Sequence, residues 1–245
     1  ERAIAYRRQH GFEHAAAAMA VVVQNMVRCD VAGVAFTINP VSGSLKEMLV
    51  NANFGLGESV VSGDGEIDQY VLDRDGKLCS SVIGHKTERV ICGEHGSQAI
   101  EVSVEEAARP CMPEAALAEL ALLMRRVEDA YQFPQDIEWG IAGGQLHLLQ
   151  SRPVTTLPPR WTRDESAERF PNVLTPLAWD MVEEGFHRSL NHSFRLMGYP
   201  PFTGKWFGIH DHYIYGNQNA VDLYGGRAPI QIRSLAELEA ALPTL

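Results

Sequence analysis

The sequence predicts an α+β fold, one antiparallel sheet with helices packed on it, and three observations predict it. Short apolar or β-branched runs separated by turn residues recur as far as Gln150. Residues 113–131 repeat leucine and alanine at helical spacing. Asp75-Gly76 and Ala142-Gly143-Gly144 supply the turn chemistry of tight hairpins.

Taken in order, residues 3–18 favour helix, interrupted by Gly11. From Met19 the pattern changes, and 20–26, 32–38 and 47–53 read as strands. Residues 68–73 and 77–83 form a hairpin across Asp75-Gly76, and 101–103 is a further short strand. Pro113 suits the first turn of the helix at 113–131, and Glu114 complements its dipole. Strands at 135–141 and 145–150 close a second hairpin. The Pro/Thr stretch 153–159 is the best boundary, giving segments 1–157 and 158–245. Beyond it, 176–197 reads as a helix stopped by Gly198 and Pro200, and 234–242 as a helix with Ser234 and Glu237 in a capping box. This second segment reads as a mainly helical partial domain. Glu1 opens on mid-helix sequence, as a trimmed fragment would.

Composition narrows the function classes. With 245 residues and 45% hydrophobic content the chain can bury a sizeable core. A formal net charge of −10 without a Lys/Arg-rich run argues against nucleic acid as partner. No apolar run is long enough to span a bilayer and no secretory signal is visible, so no membrane partner is expected and a cytoplasmic location is. Cys29, Cys79, Cys92 and Cys111 form no CxxC pair, read as reduced packing residues, and argue against zinc. His10 and His14 sit at helical metal spacing, but a third ligand is missing.

The chemistry concentrates in Asp136-Ile137-Glu138-Trp139 and Leu149-Gln150-Ser151-Arg152-Pro153. On a strand alternate side chains share a face, so Asp136 and Glu138 point one way, and Ile137, Trp139 and Ile141 the other. Leu148, Gln150 and Arg152 alternate likewise on the returning strand. Folding the hairpin gathers two carboxylates, an amide and a guanidinium. Carboxylate and amide oxygens are ligands that Mg2+ prefers, and a guanidinium grips phosphate. An ordinary amphipathic hairpin with a solvated charged face satisfies the same pattern. The run from Asn51 to Gly63 is glycine-rich: Gly55 and Gly57 let backbone approach a ligand, and Glu58 can accept ribose hydroxyls or assist a metal. A plain glycine-rich turn accounts for it equally, and it lacks the ending of a P-loop. Gln24, Met26 and Val27 suit the wall of an adenine slot, or a plain core strand. Thr37 can face the same cleft. Lys86 reads as a surface charge at a strand end. His210-Asp211-His212, with Tyr213 and Tyr215, reads as polar surface or a pocket lining.

In order and spacing, QNMV, GVAFTINPVSG, NFGLGESVVSG, DIEW and LLQSRPV resemble the ATP-binding domain shared by phosphoenolpyruvate synthase, pyruvate phosphate dikinase and rifampicin phosphotransferase, from about Met19 to Val154. The resemblance implies the C-terminal lobe of an ATP-grasp fold, ATP and Mg2+ as cofactors, and a reaction in which ATP gives AMP, phosphate and a phosphohistidine that serves an acceptor. It implies Glu138 and Gln150 as Mg–phosphate ligands with Asp136 in support, and Arg152 as the phosphate contact. It also implies Glu58 as ribose or metal contact and Gln24 to Val27 as the adenine wall. The family's phosphate-binding Lys and Arg of the N-terminal lobe, and its histidine domain, are not in this sequence, so the isolated chain is expected to turn over no ATP. The segment from Trp161 to Trp179 resembles the opening of the acceptor domain of rifampicin phosphotransferase and suits a bulky apolar, antibiotic-like small-molecule acceptor. Pyruvate as acceptor, and a non-catalytic regulatory module, are the alternatives.

Overall fold

The computed structural model describes Ile4 and residues 21–62, 66–93, 96–164 and 166–225. The helices expected at 3–18 and 234–242, and the pair His10 and His14, lie outside the described residues. The chain begins its regular structure with β1 (Val31–Phe36), β2 (Glu47–Phe54), helix α1 (Glu58–Ser62), β3 (Asp68–Asp73) and β4 (Leu78–Val82). A separate hairpin, β5 (Glu88–Gly93) and β6 (Gly96–Glu101), precedes α2 (Val104–Ala107) and the long α3 (Glu114–Tyr131). Strands β7 (Gln135–Ala142) and β8 (Gln145–Pro153) complete a six-stranded sheet of order β4-β3-β2-β1-β7-β8, each described pairing antiparallel. The chain continues as β9 (Trp161–Thr162), α4 (Ser166–Arg169), α5 (Pro176–Leu196), β10 (Phe207–His210), β11 (Tyr213–Asn217) and α6 (Gln218–Gly225). Of the helices expected in this segment α5 is described, and the segment also holds a small sheet of β10, β11 and β9 that the mainly helical reading does not foresee.

Period-two alternation decides which face of the large sheet is packed. Ala35, Met48, Val50, Tyr70, Leu72, Ile137 and Trp139 meet Leu117, Leu120, Ala121, Met124 and Val127 of α3 in one buried cluster. Apolar residues spaced three and four apart put these α3 side chains on a single stripe. Pro113 stands one position outside the helix, as its N-cap, and Gln132 ends it in the left-handed conformation. The hairpin turns behave as the sequence demands. Gly143 and Gly144 both have positive φ, 56° and 79°, as a two-residue primed turn requires. Asp73 Oδ1 accepts from the amides of Asp75 and Lys77, closing the turn before Gly76.

Three expectations need correction. Residues 21–29 carry no regular structure. Strand β1 is already paired by β2 on one side and β7 on the other, so no ladder position is left there for a strand at 20–26. The strand expected at 101–103 is β6, which ends at Glu101 and pairs with β5 through Gly93 and Gly96. Lys86, read as a surface charge, is 1% exposed. Its Nζ donates to Asp68 Oδ1, which also accepts from the Gly84 amide at 3.0 Å. Asp68 Oδ2 accepts from the Cys111 amide at 2.7 Å and the Tyr70 hydroxyl at 3.0 Å. Burial alone would raise the Asp68 pKa, but these donors outweigh it and hold the carboxyl below its usual range.

A second buried cluster ties the two parts of the chain together. Ile38, Phe133, Val154 and Leu157 pack with Tyr199, Phe202, Trp206, Leu223 and Tyr224. The Asn39 side chain organises the β1–β2 loop by accepting from the amides of Val41 and Ser42. That loop sits against α6: a side chain at Gly43 would lie 2.2 Å from the Asn219 amide nitrogen. Helix α5 starts where expected, with Thr175 Oγ1 accepting from the Ala178 amide at 3.2 Å. All four cysteines are free; Cys29 and Cys111 are buried, whereas Cys79 is exposed.

Candidate functional site

The sheet face opposite α3 carries the candidate site. Residues directly opposed across a ladder share a face, with Cα atoms about 4.5–5.5 Å apart. One transverse row therefore runs Gln69–Asn51–Val34–Glu138–Gln150 across five strands. The next row along the strands ends in Phe36–Asp136–Arg152. Glu138 thus stands directly opposite Gln150, and Asp136 directly opposite Arg152. Strand geometry separates the two rows by about 7 Å.

The two pairs differ in state. Asp136 is buried, and its Oδ2 accepts from Arg152 Nε at 2.7 Å. Its Oδ1 is buried with no hydrogen-bond partner. The Arg152 side chain is 62% exposed, so its terminal nitrogens are available to a ligand while Nε is fixed. Glu138 is half-buried and Gln150 exposed. Glu138 and Gln150 stand opposed on neighbouring strands and carry carboxylate and amide oxygens, donors of the kind Mg2+ takes beside substrate phosphates. These residues fit that ion.

Beyond the Glu138 row the face opens into a cleft of about 730 Å³. Gln24, Met26, Val27, Gly57, Glu58 and Glu138 all line it. So do Cys29, Leu56 and Leu149, which sequence reasoning did not single out. The wall formed by 24–27 is irregular chain rather than a strand, and Met26 is strongly exposed there.

Leu149 reaches the cleft through a β-bulge. The register passes from Glu138↔Gln150 to Trp139↔Leu148, leaving Leu149 as the extra residue. This corrects the alternation expected for β8: Leu148 lies on the Trp139 face, while Gln150 and Arg152 keep to the face of Glu138 and Asp136. A single inserted residue inverts parity, and nothing in the composition of LHLLQSR announces it.

Two other expected site residues serve the scaffold. Thr37 is fully buried, and its Oγ1 accepts from the Gln135 amide at 2.9 Å, tying the end of β1 to β7. It does not line the cleft. Gly55 has φ 77°, and a side chain there would stand 2.1 Å from the Val90 carbonyl oxygen. Its role is to let the β5–β6 hairpin dock, through the hydrogen bond from the Leu56 amide to Val90 O at 2.7 Å. Asn53 fixes the same segment, donating to Ser59 Oγ at 3.0 Å. Asn51 and Gln69, joined at 3.2 Å, extend the polar row and were missed because their alignment with Glu138 depends on strand order. His210 lines a different cleft with Tyr215.

An apolar slot beside paired acid, amide and guanidinium on the sheet face opposite α3 is the arrangement the described residues form. The chain belongs to the family described as pyruvate phosphate dikinase, AMP/ATP-binding domain, which matches residues 1–170. It is 41% identical over 157 residues to a probable phosphoenolpyruvate synthase of Archaeoglobus fulgidus, covering 64% of this chain and 21% of that protein. It is 38% identical over 177 residues to the phosphoenolpyruvate synthase of Pyrococcus furiosus, covering 68% of this chain and 22% of that protein. A rifampicin phosphotransferase of Streptomyces sviceus is 38% identical over 162 residues, covering 65% of this chain and 18% of that protein. The matches span about a fifth of these relatives' length. Among the described residues no helix is long and apolar enough to cross a membrane.

Proposed function

We propose that this chain supplies the nucleotide-binding lobe of an ATP-dependent dikinase-type phosphotransferase. In that reaction ATP yields AMP and phosphate while a phosphoryl group passes through a phosphohistidine elsewhere in the protein to a small-molecule acceptor. The observation that carries the reading is the register that opposes Glu138 to Gln150 and Asp136 to Arg152 beside an apolar cleft. From Gly140, level with the slot, to Asp136 is four residues along β7, about 13 Å of strand. That length suits an extended nucleoside triphosphate with its base among Met26, Val27, Leu56 and Leu149.

Each side chain then has a role. Glu138 and Gln150 would hold Mg2+ and so position the polyphosphate. When bound, the ion neutralises charge on the transferred phosphoryl group, the main demand of this chemistry. Asp136 keeps the Arg152 guanidinium presented to phosphate oxygens and would support the metal site. Glu58 accepts from ribose hydroxyls. Groups from an N-terminal lobe complete the phosphate clamp, and 158–245 begins an acceptor-binding domain. An antibiotic-like acceptor suits the aromatic character of that segment. Pyruvate is the second reading, favoured by the phosphoenolpyruvate synthases among the relatives.

Calorimetric titration of the chain with Mg–ATP tests the lobe. Weak binding that vanishes in Glu138→Ala is expected; unchanged affinity removes the metal assignment. The isolated chain should release no AMP from ATP, and clear turnover would refute the dependence on groups outside this sequence. An acceptor screen with the intact enzyme, followed by AMP formation, separates antibiotic-like molecules from pyruvate.

A further inference from the structure

Asn51 stands in the same transverse row as Glu138, two strands away, with Val34 of β1 between them. Two strand spacings set the Asn51 and Glu138 backbones about 10 Å apart. Both side chains rise from the face opposite α3, because residues opposed across a ladder share a face. Val34 is a short aliphatic side chain and only half-buried, so the space above it is open to a ligand.

Gln69 fixes which way the Asn51 amide faces. From β3, on the far side of Asn51, Gln69 Nε2 donates to Asn51 Oδ1 at 3.2 Å. The oxygen and nitrogen of a side-chain amide point apart, so an oxygen engaged towards β3 turns Nδ2 towards β1 and Glu138. That nitrogen carries two N–H groups, and among the described residues nothing accepts from them. In the next row towards Asp136, β2 and β3 present Leu49 and Val71, which offer no acceptor.

A polyphosphate held over β7 needs donors on both flanks. In this chemistry the metal bridges β- and γ-phosphate oxygens, and Arg152 meets phosphate from β8, on one flank only. On the other flank β1 presents Val34 and Phe36 at the levels of Glu138 and Asp136. The first polar side chain beyond them is Asn51, and a neutral amide donates without placing a charge in competition with the metal.

We propose that Asn51 is a nucleotide-binding residue, donating from Nδ2 to an oxygen of the phosphates that the metal bridges, and that Gln69 is the residue that positions it. The proposal rests on the nucleotide reading and extends its phosphate contacts from the β7–β8 hairpin to β2 and β3.

The test is calorimetric titration of the full chain with Mg–ATP and with AMP, which lacks the β- and γ-phosphates. Asn51→Leu should weaken Mg–ATP about tenfold, the scale of a hydrogen bond to a charged group, and leave AMP affinity unchanged. Asn51→Asp keeps the shape but can only accept, and should lose more than Asn51→Leu. Gln69→Leu should weaken Mg–ATP about threefold in the unmodified background and not at all on top of Asn51→Leu, since its effect runs through the Asn51 amide. Unchanged Mg–ATP affinity in Asn51→Leu, an equal loss for AMP, or additive losses in the double variant would overturn the proposal while the nucleotide reading stands. Absence of Mg–ATP binding by the unmodified chain would instead remove the nucleotide reading, and this proposal with it.

Discussion

The two faces of the six-stranded sheet are built from the same strands and serve opposite ends. On β7, Ile137 and Trp139 are fully buried against α3, while Asp136 and Glu138, their direct neighbours in sequence, point into the candidate site. The packed face is filled with apolar contact, with Trp139 Nε1 buried in it without a hydrogen-bond partner. The other keeps a buried carboxylate oxygen without a partner, a state that costs stability unless a ligand completes it. One strand thus separates the packed core from the candidate site by parity alone, and substitutions one residue apart should fall into different classes.

The largest effect is expected at the buried ion pair. Lys86→Met strands the Asp68 carboxylate and should cost about 3–5 kcal/mol in urea unfolding, with Mg–ATP affinity retained. The same pair sets an acid limit. The folded Asp68 pKa is depressed, so its stabilisation is present above the ordinary carboxylate pKa and is lost as pH falls through the folded value. Asp68→Asn should flatten that part of a melting-temperature profile; an unchanged acid limb would assign it elsewhere. On the packed face, Leu120→Ala should cost about 2–5 kcal/mol by leaving a cavity, again sparing affinity. Glu138→Ala reverses the pattern: stability should move by less than about 0.5 kcal/mol while Mg–ATP binding disappears from calorimetry. The smallest change is Arg152→Lys, which keeps charge but loses the planar fork, and should weaken binding by about tenfold with no change in melting temperature. An Arg152→Lys variant that melts early would show the Asp136 pair to be structural instead.

Much of this division is legible in the residues themselves. The period-two alternation of Asp136 to Ile141, the glycine turn at Gly143-Gly144 and the apolar stripe of α3 are local signals, and local signals survive folding. What the sequence hides is nonlocal. The placement of β1 beside β7 aligns Asn51 and Gln69 with Glu138, and neither neighbour is close in the chain. Lys86 looks like surface until folding brings it to Asp68, the carboxylate on which Tyr70 and Cys111 also converge. Thr37 sits in a motif that suggests a cleft, yet its hydroxyl is spent on the Gln135 amide. The run 20–26 has the β-branched content of a strand, but the positions beside its neighbour β1 are taken by β2 and β7.

The aromatic cluster at the foot of the site hairpin reaches further than its position suggests. Phe133 precedes β7, Val154 follows β8, and the Val154 amide donates to the Pro134 carbonyl at 2.9 Å, closing the ribbon at its base. Both residues are seated among Tyr199, Trp206 and Tyr224 of the downstream segment. The ribbon that displays Glu138, Gln150 and Arg152 is therefore rooted in sequence that lies outside its own sheet. Whatever loosens that root should be felt as a wider spread of orientations at the carboxylates, so nucleotide affinity becomes a gauge of how firmly the following segment is folded.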